Sequence, residues 1–104
     1  MPEFGLPETT LSTVRRILSD HPAVKKAILY GSRAKGTHGP ASDIDLTLLG
    51  EALDLDVLSS IATELEESSI PYQVDLSLWD ALEHAGLREH IARVGVVFYE
   101  RADA

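Results

Sequence analysis

The chain has 104 residues, with 9 Lys and Arg against 17 Asp and Glu, a formal net charge of -8. This length leaves room for one domain, so we expect residues 1–104 to form a single unit without a separate substrate domain, while the acidic charge argues against direct nucleic-acid binding. The chain has no Cys and no apolar segment near the ~20 residues of a membrane span, which favours a cytoplasmic location.

The N-terminal third predicts an irregular lead, a helix and a strand. Residues 1–8 contain two prolines and a glycine and predict no regular element. Thr9 or Thr10 can cap a helix whose apolar residues follow helical spacing. That helix ends near Asp20, because the proline two residues later disfavours helical backbone in the residue before it. A short apolar run ending at Tyr30 then predicts a buried strand.

The next stretch predicts a tight turn, a short helix and a second strand. Gly31 follows the first strand, and residues 32–35 can form a single helical turn that Gly36 ends. From residue 42 to residue 49 polar and apolar side chains alternate. This period of two predicts a strand with apolar residues on the core side and two Asp residues on the other.

The C-terminal half continues the alternation of helices and strands. Residues 53–68 carry apolar side chains at helical spacing, and residues 72–78 alternate again as in a strand. A further helix containing Leu87 and Ile91 precedes a last apolar strand at 96–99. The pattern predicts an α+β or α/β fold with helices packed on a small sheet, although strand direction cannot be read from it.

Candidate phosphate-binding groups cluster where the first strand turns into the short helix. Glycine at position 31 lets main-chain N–H groups and the Ser32 hydroxyl approach an anion without an intervening Cβ. Arg33 and Lys35 add positive charge beside this turn. Alone, Gly31 and Ser32 are more typical of a plain strand-to-helix turn than of a phosphate site. Arg33 and Lys35 are equally typical of ordinary surface charges.

Candidate metal ligands follow on the second and third strands. Asp43 and Asp45 are two residues apart on one strand, so their carboxylates leave the same face roughly 6.5–7 Å apart. Mg²⁺ takes oxygen ligands and is commonly held by one or two carboxylates with substrate phosphates. Asp75 completes a triad if its strand lies beside theirs. Three carboxylates near a phosphate-binding turn are the layout of two-metal phosphoryl or nucleotidyl transfer, whereas each Asp alone is also typical of a solvated strand face.

The order Gly31-Ser32, ten residues, then Asp43-Ile44-Asp45 and a later Asp on another strand resembles the nucleotidyltransferase superfamily that includes DNA polymerase beta and kanamycin nucleotidyltransferase. The form Gly-Ser-Arg-Ala-Lys-Gly followed by Ser-Asp-Ile-Asp-Leu is most similar to the minimal nucleotidyltransferases, or MNT proteins, encoded beside HEPN-domain partners in toxin–antitoxin pairs. The match is close over residues 28–48 and loose over 74–76.

The resemblance implies a mixed sheet flanked by helices and a set of site residues. Gly31 and Ser32 would bind the β- and γ-phosphates of ATP, with Arg33 and Lys35 nearby. Two Mg²⁺ ions would be held by three ligands: Asp43, Asp45 and Asp75. The last of these would also help to deprotonate the attacking hydroxyl, and AMP would pass to the acceptor with release of pyrophosphate.

Two functions agree with this resemblance. In the first, the chain is an enzyme that transfers AMP to a hydroxyl, most plausibly of a tyrosine, on a HEPN-type partner, since its length leaves little surface to hold an acceptor. In the second, it is an antitoxin or regulatory protein that neutralises its partner by binding alone. The charge of -8 favours a basic partner in both cases. A homo-oligomer or hetero-oligomer is compatible with either function.

Overall fold

The computed structural model describes residues 3–102. In this part of the chain two 3-10 turns accompany four helices and four strands. The helices are α1 (Glu8–Ser19), α2 (Ser32–Lys35), α3 (Leu55–Glu67) and α4 (Ala85–Val94), the strands are β1 (Lys26–Tyr30), β2 (Ile44–Leu49), β3 (Val74–Leu78) and β4 (Val96–Glu100), and the 3-10 turns are Glu3–Gly5 and Trp79–Ala81.

The four strands form one mixed sheet in the order β3-β2-β1-β4. Strand β1 is antiparallel to both β2 and β4, whereas β2 and β3 are parallel. Helix α3 connects β2 to β3, as a parallel pair requires a long crossover connection. The mixed sheet flanked by helices confirms the predicted α+β class.

One face of the sheet packs against α1 and α3 and forms the main core. The inward side chains of β2, namely Ile44, Leu46 and Leu48, are fully buried, as the alternation predicts. Helix α1 contributes four buried apolar residues and α3 contributes Ile61 and Leu65. Burying a side chain of this size stabilises the fold by about 1.5–3 kcal/mol, so this face holds most of the apolar driving force.

The opposite face of the sheet is only partly covered. Helix α4 packs over one end of it, where Ile91 is buried close to Ile28 of β1 and Leu49 of β2. The other end, where β1 finishes and where β2 and β3 begin, carries polar residues and lies beyond this helix. This uncovered end is the surface on which the candidate site lies.

The beginning of the chain departs from the prediction in two ways. Pro7, and neither Thr9 nor Thr10, occupies the N-cap of α1; the threonines lie inside the helix, and Thr10 is buried against the core. The expected irregular lead contains the 3-10 turn Glu3–Gly5, and Leu6 behind it is fully buried. Met1 and Pro2 of that lead lie outside the described residues.

The remaining elements occur where the sequence predicts them, although several begin later than predicted and β4 (Val96–Glu100) extends one residue beyond the predicted 96–99. The helix predicted over 53–68 begins after Asp54, whose carboxylate accepts a hydrogen bond from the Val57 N–H at 2.9 Å as an N-cap. Strand β3 begins at Val74, two residues later than expected. Within residues 3–102, no helix has both the length and the apolar character needed to cross a membrane.

Candidate functional site

The site begins at the turn between β1 and α2. Gly31 follows the last residue of β1 with φ 76° and ψ -156°, and Ser32 opens α2. Gly36 ends this single helical turn in the left-handed conformation, with φ 78°. The structure therefore contains the strand, tight turn and short helix that the sequence predicts, and each glycine stands where a positive φ requires it.

This turn touches the strand that carries the paired Asp residues. A Cβ atom added at Gly31 would collide with the carboxylate of Asp45. Glycine thus serves two purposes here, because it permits the positive φ and leaves space for the neighbouring carboxylate. The two separate parts of the sequence motif meet in space at this contact.

Two of the candidate carboxylates lie on adjacent parallel strands, and the third, Asp43, lies just before the first residue of β2. Asp45 of β2 pairs with Asp75 of β3 in the strand register, which puts their backbones ~4.8 Å apart on one face of the sheet. Asp43 precedes Asp45 by two residues and is exposed, as is Asp75. The sequence could not show whether the strand of Asp75 lies beside that of Asp45, and the structure shows that it does. We call Asp43, Asp45 and Asp75 the carboxylate row.

Within the carboxylate row, the central residue Asp45 has a shifted pKa. Burial raises the pKa of Asp45 above its usual value, and the negative charges of Asp75 and then Asp43 raise it further. A cation placed among these groups would relieve the same repulsion. The charge distribution of the row therefore favours a cation as its natural ligand.

The donor set fits Mg²⁺ in its chemistry. All three side chains offer carboxylate oxygens, which Mg²⁺ prefers. Among residues 3–102, no group of three or more His, Asp or Glu side chains is already arranged as a metal cage. Mg²⁺ commonly takes one or two carboxylates and completes its shell with water and substrate phosphates, so an open carboxylate row beside the Gly31 turn suits it.

A buried tyrosine lies in the same cross-strand row. Tyr30 of β1 pairs with Asp45, is nearly inaccessible, and has its phenol close to Ser77 of β3. Because strands lie ~4.8 Å apart, a side chain that starts on β1 and approaches β3 must cross β2. Thr47 of β2, which pairs with Ser77, is fully buried.

The environment of the Tyr30 phenol disfavours its ionised form. Burial raises the pKa of Tyr30, the adjacent Ser77 hydroxyl opposes this rise, and the charges of Asp75 and Asp45 add to it. The hydroxyl oxygens of Thr47 and Ser77 are themselves buried and find no hydrogen-bond partner among the described residues. We call Tyr30, Thr47 and Ser77 the hydroxyl layer.

Arg33 lies inside the protein instead of beside a phosphate, which corrects the expectation from sequence. Its side chain is 2% exposed, and its guanidinium donates two hydrogen bonds to the Ser42 carbonyl and one to the Phe4 carbonyl at 2.8–3.1 Å. It also stacks on the ring of Tyr72, 5.1 Å from the centroid. Lys35 is exposed on α2, and Ser32 is half-buried at its start.

Comparison with known proteins places this geometry in a family. The family model described as "Polymerase beta, Nucleotidyltransferase" matches residues 12–104. The chain is a nucleotidyltransferase of this family. Its sequence is similar to that of the probable protein adenylyltransferase MntA of Haemophilus influenzae, with 34% identity over 100 residues that cover 95% of this chain and 87% of the relative.

Solved structures show the same nucleotidyltransferase fold. A toxin–antitoxin complex with AMP-PNP matches with a TM-score of 0.69 and 24% identity, over 94% of this chain and 77% of the other. An MNT antitoxin in complex with the tri-AMPylated HEPN toxin of Shewanella oneidensis matches with a TM-score of 0.66 and 20% identity. This match covers 92% of this chain and 74% of the other. The resemblance to minimal nucleotidyltransferases that the sequence predicts is thereby confirmed.

Sequence reasoning missed two features of this nucleotidyltransferase. The clamp formed by Arg33 depends on carbonyls nine and twenty-nine residues away, and no local pattern reveals such partners. The hydroxyl layer has a partial signal in the sequence, because Thr47 and Ser77 alternate with apolar residues and share the face of Asp45 and Asp75. Recognising it required the order of the strands, which the sequence does not reveal.

Proposed function

We propose that the chain is a Mg²⁺-dependent nucleotidyltransferase that transfers AMP from ATP to a tyrosine hydroxyl of a HEPN-type partner and so acts as its antitoxin. The observation that carries this proposal is the contact of the Gly31 turn with Asp45, in register with Asp75. A phosphate-binding turn and a carboxylate row are then adjacent, as transfer at a phosphorus atom requires.

The residues take the following roles in this proposal. Main-chain N–H groups at Gly31 and the Ser32 hydroxyl hold the β- and γ-phosphates, and Lys35 adds positive charge from the exposed side of α2. Asp43 and Asp45 would hold Mg²⁺, and Asp75 would share one of two ions. When bound, Mg²⁺ neutralises the phosphate oxygens and the charge that develops in the transition state.

In the transfer step, one bond to the α-phosphorus of ATP forms and one breaks. The acceptor hydroxyl oxygen attacks the α-phosphorus of ATP, the new O–P bond forms, and the bond from that phosphorus to the bridging oxygen breaks. Asp75 receives the hydroxyl proton, and pyrophosphate leaves with the electron pair of the broken bond. The product is AMP joined to the acceptor through a phosphodiester.

Similar proteins support the acceptor and nucleotide classes. The relative from Haemophilus influenzae is named a probable protein adenylyltransferase, and one structural neighbour is a complex whose HEPN toxin is AMPylated. AMP-PNP, an ATP analogue, is bound in another. We place the acceptor on a tyrosine because a phenol reaches farther from the partner's backbone than a serine or threonine hydroxyl into the open carboxylate row.

A second function is supported by the charge of the chain. A protein of net charge -8 can neutralise a basic partner by complex formation alone, with the nucleotide site serving regulation. The structural neighbours are toxin–antitoxin complexes, which suits binding as well as transfer. Both proposed functions include a cytoplasmic location, which is consistent with the absence of Cys.

Transfer of label from ATP separates the two functions. The chain is incubated with α-labelled ATP, Mg²⁺ and the HEPN-type protein encoded beside it, and the experiment is repeated with Asp43→Ala, Asp45→Ala and the control Asp56→Asn. Asp56 lies exposed in the first turn of α3, outside the carboxylate row. We expect label on the partner with the wild type and the control, and none with the other two.

The opposite outcome is equally clear. Full neutralisation of the partner by the two Ala variants, without label in any sample, would overturn the enzymatic proposal and favour binding alone. Chelation of Mg²⁺ provides an independent check, since we expect it to abolish labelling by the wild type.

A further inference from the structure

The two edges of the sheet differ in how well they are protected from pairing with another chain. Strand β4 forms one edge, and its pairing with β1 shifts register between Ala27 and Ile28. Beside this irregularity, the Phe98 carbonyl accepts a hydrogen bond from the Arg15 guanidinium at 3.0 Å. A bulge and a cation at an edge are devices that prevent the addition of a further strand.

Strand β3 forms the other edge and has neither device. It pairs with β2 in one continuous register, and it contains no Pro, Lys or Arg. The Gln73 carbonyl accepts a hydrogen bond from the Ile44 N–H at 2.9 Å, so the main-chain groups of Gln73 and of every second residue after it face β2. The alternate residues direct their main-chain groups away from the sheet: Val74, Leu76 and Leu78. Within residues 3–102 these outward groups form no hydrogen bond, and we call them the free edge of β3.

The free edge of β3 has the chemistry to bind one class of ligand, an extended polypeptide. Its N–H and C=O groups recur at every second residue, and the main chain of another strand matches that spacing. Asp75 lies between Val74 and Leu76, at the middle of this edge. A residue paired with Asp75 on an added strand would have its backbone ~4.8 Å away and its side chain on the same face of the sheet. A tyrosine in that position would extend the carboxylate row from Asp45 through Asp75 to the acceptor hydroxyl.

A groove beside β3 provides a place for the residue next to that tyrosine. The groove has a volume of about 440 Å³, lies between α3 and the start of β3, and is lined in part by Ala62, Glu66, Ile70 and Val74. Successive side chains of a strand point to opposite faces, so the added residue paired with Val74 would point to the face that α3 covers. The stem of a Lys or Arg can lie on the aliphatic side chains of the groove while its cation meets Glu66.

We propose that the acceptor tyrosine reaches the carboxylate row on an extended segment of the partner, which pairs with the free edge of β3 and places an adjacent Lys or Arg in the groove. This inference rests on the proposed function, in which a HEPN-type partner supplies the tyrosine. It adds the conformation of the acceptor segment and the type of residue beside the acceptor. A basic residue there also suits a chain of net charge -8.

Residue-resolved hydrogen exchange of the complex with the HEPN-type partner, measured without ATP, tests the pairing. We expect exchange of the Leu76 N–H, which faces away from the sheet, to slow at least about tenfold when the partner binds. The Ser77 N–H faces β2 and the amides of β4 lie at the other edge, so their exchange should change by less than twofold. Unchanged exchange at Leu76 in the complex would overturn the proposal. Equal protection of Leu76 in the concentrated free chain would also overturn it and would identify a second copy of this chain as the ligand of the edge.

A matched pair of variants tests the groove. Glu66→Gln and Glu67→Gln remove the same charge from adjacent exposed residues of α3, but only Glu66 lines the groove. We expect the Kd for the partner to rise about fourfold in Glu66→Gln, as for an exposed ion pair, and to stay within twofold of wild type in Glu67→Gln. The affinity for AMP-PNP should be unchanged in both, and equal weakening of partner binding by the two variants would overturn the groove contact.

The two tests separate this proposal from the proposed function. Protection of Leu76 without label on the partner would support docking at the free edge of β3 and contradict AMP transfer. Label on the partner without protection of Leu76 would support AMP transfer and overturn docking at this edge.

Discussion

At Gly31 the backbone passes so close to the Asp45 carboxylate that a single added carbon atom would collide with it. Gly36, five residues later, has nearly the same φ, 78° against 76°, but open space where its Cβ would lie. The pair therefore separates two properties of glycine, backbone freedom and lack of bulk. Only the first matters at Gly36, whereas both matter at Gly31.

We predict that Gly31→Ala abolishes nucleotidyl transfer and Gly36→Ala does not. Both substitutions strain a positive φ, at a cost of about 1–2 kcal/mol for the left-handed Gly36 and about 1–3 kcal/mol for Gly31, whose ψ of -156° lies in a region essentially restricted to glycine. Only the first pushes the central carboxylate out of line, and we expect at least a ~10²-fold fall in kcat/KM. Label transfer and thermal unfolding of the two variants measure these effects. Equal transfer activity in the two variants would show that the close contact between Gly31 and Asp45 does not contribute to catalysis.

Asp45 illustrates a conflict between stability and activity within one residue. Its folded pKa is raised by burial and by Asp75 and Asp43, so the native state binds its proton more readily than the unfolded state does. The resulting destabilisation is present in full above the folded pKa, decreases as pH falls through that value, and disappears below the unfolded pKa.

We predict that Asp45→Asn raises the thermal midpoint at pH 7 while it abolishes transfer. Asn has a similar shape and no charge, so it removes the repulsion, and in a domain of this size 1 kcal/mol corresponds to ~4–8 °C. We expect an increase of a few degrees without Mg²⁺, and a smaller difference from wild type at acidic pH. Thermal unfolding at pH 7 and pH 4 in a chelating buffer checks the sign. A lower midpoint at pH 7 would contradict it.

At the scale of elements, Arg33 ties three separate segments together. From α2 it reaches the Phe4 carbonyl in the N-terminal turn and the Ser42 carbonyl just before β2, and it stacks on Tyr72 before β3. This clamp fixes the loop between α2 and β2, and with it the approach of Asp43 to the site. Its contribution is to stability, although it lies within the motif that suggests nucleotide binding.

We predict opposite consequences for the two cations of α2. Arg33→Met keeps the buried stem but leaves two carbonyls unpaired, and we expect a loss of about 2–4 kcal/mol in the free energy of unfolding. Lys35→Ala should change stability by less than ~0.5 kcal/mol and weaken ATP binding several-fold. Urea unfolding and titration with AMP-PNP check these values. Weaker nucleotide binding by a stable Arg33→Met variant would restore the role expected from sequence.

The elements themselves could be predicted because their signals are local. The alternation along β2 and β3 and the helical spacing in α1 and α3 predicted these four elements, and the Gly-Ser and Asp-x-Asp residues indicated a candidate site. What could not be predicted depends on long-range neighbours: the parallel pairing that puts Asp75 beside Asp45 and the remote carbonyls bound by Arg33. The predicted N-cap of α1 was wrong because Thr10 packs in the core, and this packing overrides the residue's preference for a capping position.

At the scale of the whole molecule, the charge that a partner meets depends on where the cations lie. Four arginines donate hydrogen bonds to main-chain carbonyls within the fold: Arg15, Arg33, Arg88 and Arg101. Arg15 joins α1 to β4, and Arg33 joins the N-terminal turn to the residue Ser42 before β2. Arg88 joins α4 to the preceding 3-10 turn, and Arg101 joins the C-terminal segment to the end of α1. These four cations are engaged in internal contacts, and the chain as a whole, with 9 Lys and Arg against 17 Asp and Glu, has a net charge of -8.

We predict that association with the HEPN-type partner is electrostatically steered and therefore depends on salt. Raising the salt concentration from 0.05 to 0.5 M shortens the Debye length from above ~10 Å to well below it. We expect the association rate constant to fall at least about tenfold and the dissociation rate constant to change much less, because steering acts on the encounter. Stopped-flow measurements with the wild type and Asp45→Asn test this and also separate binding from transfer, since the variant should bind at a similar rate. An association rate independent of salt would mean that the partner is not basic where it meets this chain.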